Sequence, residues 1–195
     1  MTAPVRRGRP GYDLETVLSV AARTFTSRGY DGTSMDDLAR ELGITKSAIY
    51  HHVESKEDLL RMATDRALDG LSAVTSAVAT MDGPAIDRLE YLIRASVELL
   101  IAEQPFVTLL LRVRGNTPVE RRAIARRRAI DQAVADLVAQ AEAEGDVRPE
   151  LDTAITARLL FGLVNSLVEW YRPGKADAAA VANAVCTIAF EGLRH

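Results

Sequence analysis

The stretch TSMDDLARELGITKSAIYHHVESKEDLL, residues 33–60, decides how this chain is to be read. Ser34 followed three residues later by Asp37 has the form of a capping box, a side-chain exchange that starts a helix. Met35, Leu38, Ala39 and Leu42 then fall on one helical face. Gly43 breaks the pattern, Ile44 follows, and Thr45 can cap a short further helix reaching about His52. Ala39 is small where two helices must cross closely. Gly43 comes four residues later at the turn, and Ile49 six after that, pointing back into the core. The other face of the short helix stays polar, with Lys46, Ser47, Tyr50 and His51. This is a helix-turn-helix arrangement, whose second helix enters the major groove of DNA.

Working outward, helical signals continue in both directions. Upstream, Leu14, Val17, Leu18, Ala21, Ala22 and Phe25 recur at helical spacing, with Asp13 as N-cap and Gly29 as the stop. Downstream, Ser55 with Asp58 opens a long helix toward Thr80. Asp82-Gly83-Pro84 turns into a helix over about Ala85 to Ala102, and Pro105 leads a shorter segment holding Phe106, Leu109, Leu110 and Leu111. Gly115-Asn116-Thr117-Pro118 precedes a long helix from about Pro118 to Glu144, ended by Gly145. Asp152 caps a helix to about Tyr171, Arg172-Pro173-Gly174 stops it, and Asp177 caps the last one. No period-two alternation persists. The expectation is an all-α chain of about nine helices. It comprises a basic arm over 1–11, a three-helix helix-turn-helix domain over 12–54, and a helical ligand-binding and dimerisation domain over 55–195.

Charge is distributed unevenly. The formal net charge is -3, yet residues 1–52 hold seven basic against six acidic side chains, so the acidity belongs to the C-terminal part. A nucleic-acid partner is therefore sought at the N-terminal end. There Arg6, Arg7 and Arg9 lie within four residues. A single cysteine, Cys186, forms no internal bridge and reads as a core residue in a reducing compartment. No apolar run reaches 18 residues, and no apolar segment follows the first arginines. A cytoplasmic protein with no membrane association is expected. The adjacent His51 and His52 diverge by about 100° on a helix and cannot share a metal. No nucleophile–base pair, phosphate loop or metal constellation stands out, so neither an enzyme nor a cofactor is expected.

The small residue, glycine turn, Tyr-His-His and Ser-Lys-Glu of residues 39–57 together resemble the TetR family of transcriptional regulators. The close resemblance covers about Tyr12–Arg61; the remainder agrees in outline, as a wholly helical C-terminal domain. It implies a homodimer on a palindromic DNA operator, released by a small molecule. It also places Thr45, Lys46, Ser47 and Tyr50 on DNA, with His51 beside them. The chemistry agrees: lysine and hydroxyl side chains serve phosphates or base edges, and a tyrosine can lie along the sugar edge. Lys56, Thr33 and Ser34 sit at helix starts, where free N–H groups favour a phosphate. Arg-Gly-Arg-Pro resembles the core of an AT-hook, an arm that slips arginines into a narrow minor groove. Where the family commonly has an aromatic residue after Tyr-His-His, this chain has Val53.

For the C-terminal domain, Phe106, Leu110, Phe161 and Asn165 are the candidate ligand-binding residues, within an apolar set that includes Leu109, Val164 and Leu167. Arg121, Arg122, Arg126, Arg127 and Arg128 form a basic cluster on one helix, either a solvated face or a site for an anionic head group. Glu169-Trp170-Tyr171-Arg172-Pro173-Gly174 resembles a segment of some actinobacterial TetR-type regulators of lipid and sterol breakdown, several of which sense acyl-coenzyme A esters. The expected effector is a small hydrophobic molecule with an anionic end, such as an acyl-coenzyme A ester or fatty acid. The function expected is a ligand-responsive repressor. The rival reading is a constitutive dimeric DNA-binding or architectural protein without an effector.

Overall fold

The computed structural model describes residues 13–193, and side chains through 191. Nine helices and no strand occur among the described residues. The chain divides into two compact units, one ending at Ala63 and the other beginning at Thr64, so the division falls inside a helix.

The first unit is built from α1 (Leu14–Arg28), α2 (Met35–Leu42), α3 (Lys46–Tyr50) and the opening turns of α4 (Lys56–Ala79). Asp13 starts α1 by accepting the Thr16 N–H at 2.8 Å. Ser34 and Asp37 form the full capping box of α2, each accepting the other's backbone N–H. Gly43 ends α2 at φ 67°, a left-handed conformation that costs glycine nothing. Thr45 caps α3 through the Ala48 N–H. Val17, Ala21, Phe25, Leu38, Leu42, Ile49 and Leu59 fill the core between these helices. Val53 is buried too, so this position contributes to the core.

In the second unit α5 (Ala85–Ala102) is central, packed against α7 (Pro118–Glu144), α8 (Thr153–Trp170) and α9 (Ala178–Leu193). The short α6 (Gln104–Arg112) bridges α5 and α8. Pro105 lies inside the first turn of α6, where its missing N–H forfeits no helical bond. Gly70 marks a close approach of α4 to α5: a Cβ there would stand 2.7 Å from Leu99 Cδ1. Arg126 of α7 reaches α4 through Asp65 at 2.7 Å and Asp69 at 2.6 Å. Cys186 is buried, and burial pushes its thiol pKa up. No helix among the described residues is long and apolar enough to cross a membrane.

Candidate functional site

On the first unit, α3 presents Lys46, Ser47 and Tyr50 as exposed side chains on the face opposite buried Ile49, with exposed His51 immediately beyond. Thr45 is exposed as well, although its hydroxyl oxygen is engaged by the cap it makes. Tyr50 keeps 44% of its surface in solvent, an unusual state for a large ring with no core role. Lys46 Nζ pairs with Asp36 Oδ2 of α2 at 3.0 Å, and this hydrogen bond raises the lysine pKa. The one cation of α3 is thus held beside a carboxylate. Ser34 is exposed, with its hydroxyl donating to Asp37 Oδ2 at 2.6 Å. That hydrogen bond, more than the nearby Arg40, lowers the Asp37 pKa.

Two of the residues expected to face DNA are engaged within the protein. Thr33 is buried, and its hydroxyl donates to the Gly29 carbonyl at 2.8 Å, so it fastens the α1–α2 loop. Lys56 Nζ donates to the carbonyls of Tyr30 and Thr33, both at 2.9 Å, and lies 4.1 Å from the centre of the Tyr30 ring. Its ammonium closes the same loop. Both residues lie at helix starts, as their sequence positions indicate, and the α1–α2 loop takes up their side-chain donors. Arg6, Arg7 and Arg9 lie outside the described residues.

The second unit holds a cleft of about 640 Å³ between α7 and α8, within the size range of small-ligand sites. Arg127, Arg128 and Arg158 line it, together with Asp131, Gln132 and Phe161. It adjoins an apolar recess of about 30 Å³, the two sharing Leu111, Arg127, Asp131, Phe161 and Asn165. Leu99, Leu100, Val107, Leu110 and Val164 give the recess its apolar wall. Leu71 of α4 lines it too. Burial raises the Asp131 pKa, against the opposing pull of Arg127 and Arg158.

Of the candidate ligand residues, Leu110, Phe161 and Asn165 come together here. Phe106 does not: it is buried away from the cavity lining, with the Arg66 guanidinium 5.5 Å from its ring centre. The arginine cluster of α7 splits by face. Arg121 donates to the carbonyls of Gly115 and Asn116, Arg126 pairs with α4, and Arg127 and Arg128 turn to the cleft. Ser96 and Asp131 were missed at the sequence level. For Ser96 the signal was present, a hydroxyl at helical spacing among Leu92, Ile93, Val97 and Leu100.

Comparison with known proteins bears on both units. Residues 17–63 match the family described as bacterial regulatory proteins, tetR family, and residues 82–193 match the tetracyclin repressor-like C-terminal domain. The crystal structure of SCO3833, a TetR-family member from Streptomyces coelicolor, is 50% identical with a TM-score of 0.85, over 98% of this chain and 97% of that one. The ketosteroid transcriptional regulator KstR2 of Mycobacterium tuberculosis is 26% identical with a TM-score of 0.83, over 95% and 98%. AibR, solved with isovaleryl coenzyme A and operator DNA, is 26% identical with a TM-score of 0.74, over 90% and 97%. The exposed polar face of α3, the glycine turn before it and these matches along most of the chain lead to one conclusion: the protein belongs to the TetR family of DNA-binding transcriptional regulators.

Proposed function

We propose that the protein is a cytoplasmic homodimeric repressor that leaves a palindromic operator when an apolar molecule with an anionic end enters the cleft of the second unit. The observation that carries this is the chemistry of that cleft: Arg127, Arg128 and Arg158 at a wide opening, and an apolar recess adjoining it. An acyl chain gains about 0.8 kcal/mol for each methylene taken from water, and arginine forks suit phosphate or carboxylate. AibR, bound in its structure to isovaleryl coenzyme A, supports the same class of ligand.

Dimerisation is supported by α8, whose Ile155, Leu159 and Leu163 recur every four residues and are exposed, as is Ile188 of α9. A stripe of this kind needs a partner, and a second copy of α8 and α9 completes a four-helix bundle. Two identical heads then read a two-fold site. Lys46, Ser47, Tyr50 and His51, with Thr45 and Ser34 at the helix starts, form the described reading surface, and the Arg6, Arg7 and Arg9 arm extends it into the minor groove. The effector acts by favouring the arrangement of the dimer that does not fit the operator.

The test is direct. The operator is recovered by selection from a random DNA pool, and its release is titrated with acyl-coenzyme A esters, free fatty acids and neutral hydrophobic compounds. Release by esters or fatty acids is expected. Release by the neutral compounds alone removes the role given to the arginines, and release by none leaves a constitutive DNA-binding protein.

A further inference from the structure

Ser96 stands apart from every other polar residue of the cavity. It is 2% exposed, and its hydroxyl oxygen has no hydrogen-bond partner among the described residues. Arg127, Asp131 and Asn165 also line the recess, but all three are shared with the open cleft. Ser96 belongs to the recess alone, surrounded there by Leu99, Leu100, Val107 and Val164. A serine inside a helix ordinarily bonds back to a carbonyl one turn earlier. A buried hydroxyl left without any partner is costly, and native proteins keep few of them.

Building on the effector reading above, we propose that Ser96 selects an effector bearing a hydrogen-bonding oxygen, a hydroxyl or a carbonyl, on the end that enters the recess. The ligand then has three parts in order. An anionic head meets Arg127, Arg128 and Arg158, an apolar body passes Phe161 and Leu111, and an oxygen reaches Ser96. The recess, at about 30 Å³, has room for a water or one small terminal group. An oxygen displacing such a water reproduces its hydrogen bond, whereas a methyl group leaves the serine unpaired. Discrimination by a site of this design is steep, because the wrong ligand strands a buried polar group.

The experiment measures binding of straight-chain acyl-coenzyme A esters of about four to twelve carbons, each paired with its terminally hydroxylated counterpart, to the full-length protein. At the chain length that spans the cleft, the hydroxylated ester should bind about tenfold more tightly than the plain one, the value of one well-placed hydrogen bond. Ser96→Ala should erase that preference without weakening the plain ester, and Ser96→Thr, which keeps the hydroxyl, should retain it. Ligand-free Ser96→Ala should unfold at the same temperature as the wild type or higher. A drop of several degrees would mean the hydroxyl has a structural partner and would overturn the proposal. Equal binding of both members of every pair overturns the role of Ser96 and leaves the effector reading standing. Failure of all the esters, and of the matching free fatty acids and hydroxy fatty acids, to bind overturns both.

Discussion

Replacing Asp36 by asparagine should tighten operator binding, although Asp36 was never a candidate for contacting DNA. Its carboxylate lies 3.0 Å from Lys46 Nζ, with the two side chains 65% and 45% exposed. A pair so open to water adds little to folding. It matters to recognition for two reasons. Lys46 has to leave or share this carboxylate to meet DNA, and Asp36 then stands a few ångströms from a phosphate. One like-charge contact at about 6 Å in water weakens binding roughly threefold, and two heads compound this to roughly tenfold. Removing the charge should recover that factor. The assay is fluorescence anisotropy on the selected operator at about 50 and 200 mM salt. The gain should be larger at the lower salt, since the Debye length at 0.1 M is only about 10 Å. If Asp36→Asn binds no more tightly than the wild type at low salt, with its unfolding temperature unchanged, then Lys46 is not at the DNA and the reasoning fails.

Lys46→Ala and Tyr50→Ala should each lose between roughly fivefold and a hundredfold in operator affinity while the dimer stays folded, with the salt slope falling by about 0.9 per head for the lysine. Wild-type affinity in both would move the interface off α3. Lys56→Met should cost about 2 kcal/mol of stability in a urea titration, because it strips the Tyr30 and Thr33 carbonyls of a charged donor. Undiminished stability together with lost DNA binding would return Lys56 to the DNA surface. Asp131→Asn should strengthen binding of anionic esters by removing a competitor for Arg127 and Arg158, as read by direct titration; unchanged affinity would place the head group elsewhere. The same variant has a pH signature. Because burial raises the Asp131 pKa, its carboxyl favours folding in acid, below its ordinary value near 3.8, and that contribution is lost as pH rises through the raised value. Asp131→Asn should therefore gain unfolding temperature over the wild type at neutral pH and not in strong acid.

The fold was largely legible because its punctuation is local. Asp13, Ser34, Thr45 and Asp152 all cap the helices their sequence positions predict, and Gly43 and Gly145 end theirs in the left-handed conformation. Capping is decided within four residues, so a linear reading reaches it. The polar face of α3 was legible for the same reason. The engagement of Lys56 was not, because it depends on the Tyr30 carbonyl and ring, 26 residues before it in the chain, and that of Thr33 was not, because the burial that turns its hydroxyl to the Gly29 carbonyl is set by packing. The cavity lies further out of reach. Phe106 and Leu110 sit one turn apart on α6, yet only Leu110 lines the recess, and which one does so depends on how α6 is rotated against α8. Asp131 reads in sequence as one more charge on a polar helix. Only the packing of α7 against α8 sets it among arginines.

The internal pairing of the reading head has a consequence for how the protein finds its target. Residues 13–63 hold six basic against nine acidic side chains. Arg28, Arg40, Lys46 and Arg61 pair with Glu41, Asp37, Asp36 and Asp58, and Lys56 is spent on carbonyls. Little free positive field is left to hold the head on arbitrary DNA, where attraction is almost wholly a matter of phosphate neutralisation. On that charge balance the head alone should be poorly retained by the bulk of a chromosome and should search by repeated short encounters through solution rather than by long one-dimensional sliding. Fewer copies are sequestered at irrelevant sites, so operator occupancy follows the number of molecules in the cell closely. If Arg6, Arg7 and Arg9 contact DNA as proposed, they set the residence time on non-operator DNA, and lengthening or shortening that basic run would tune the search without altering which sequence is chosen.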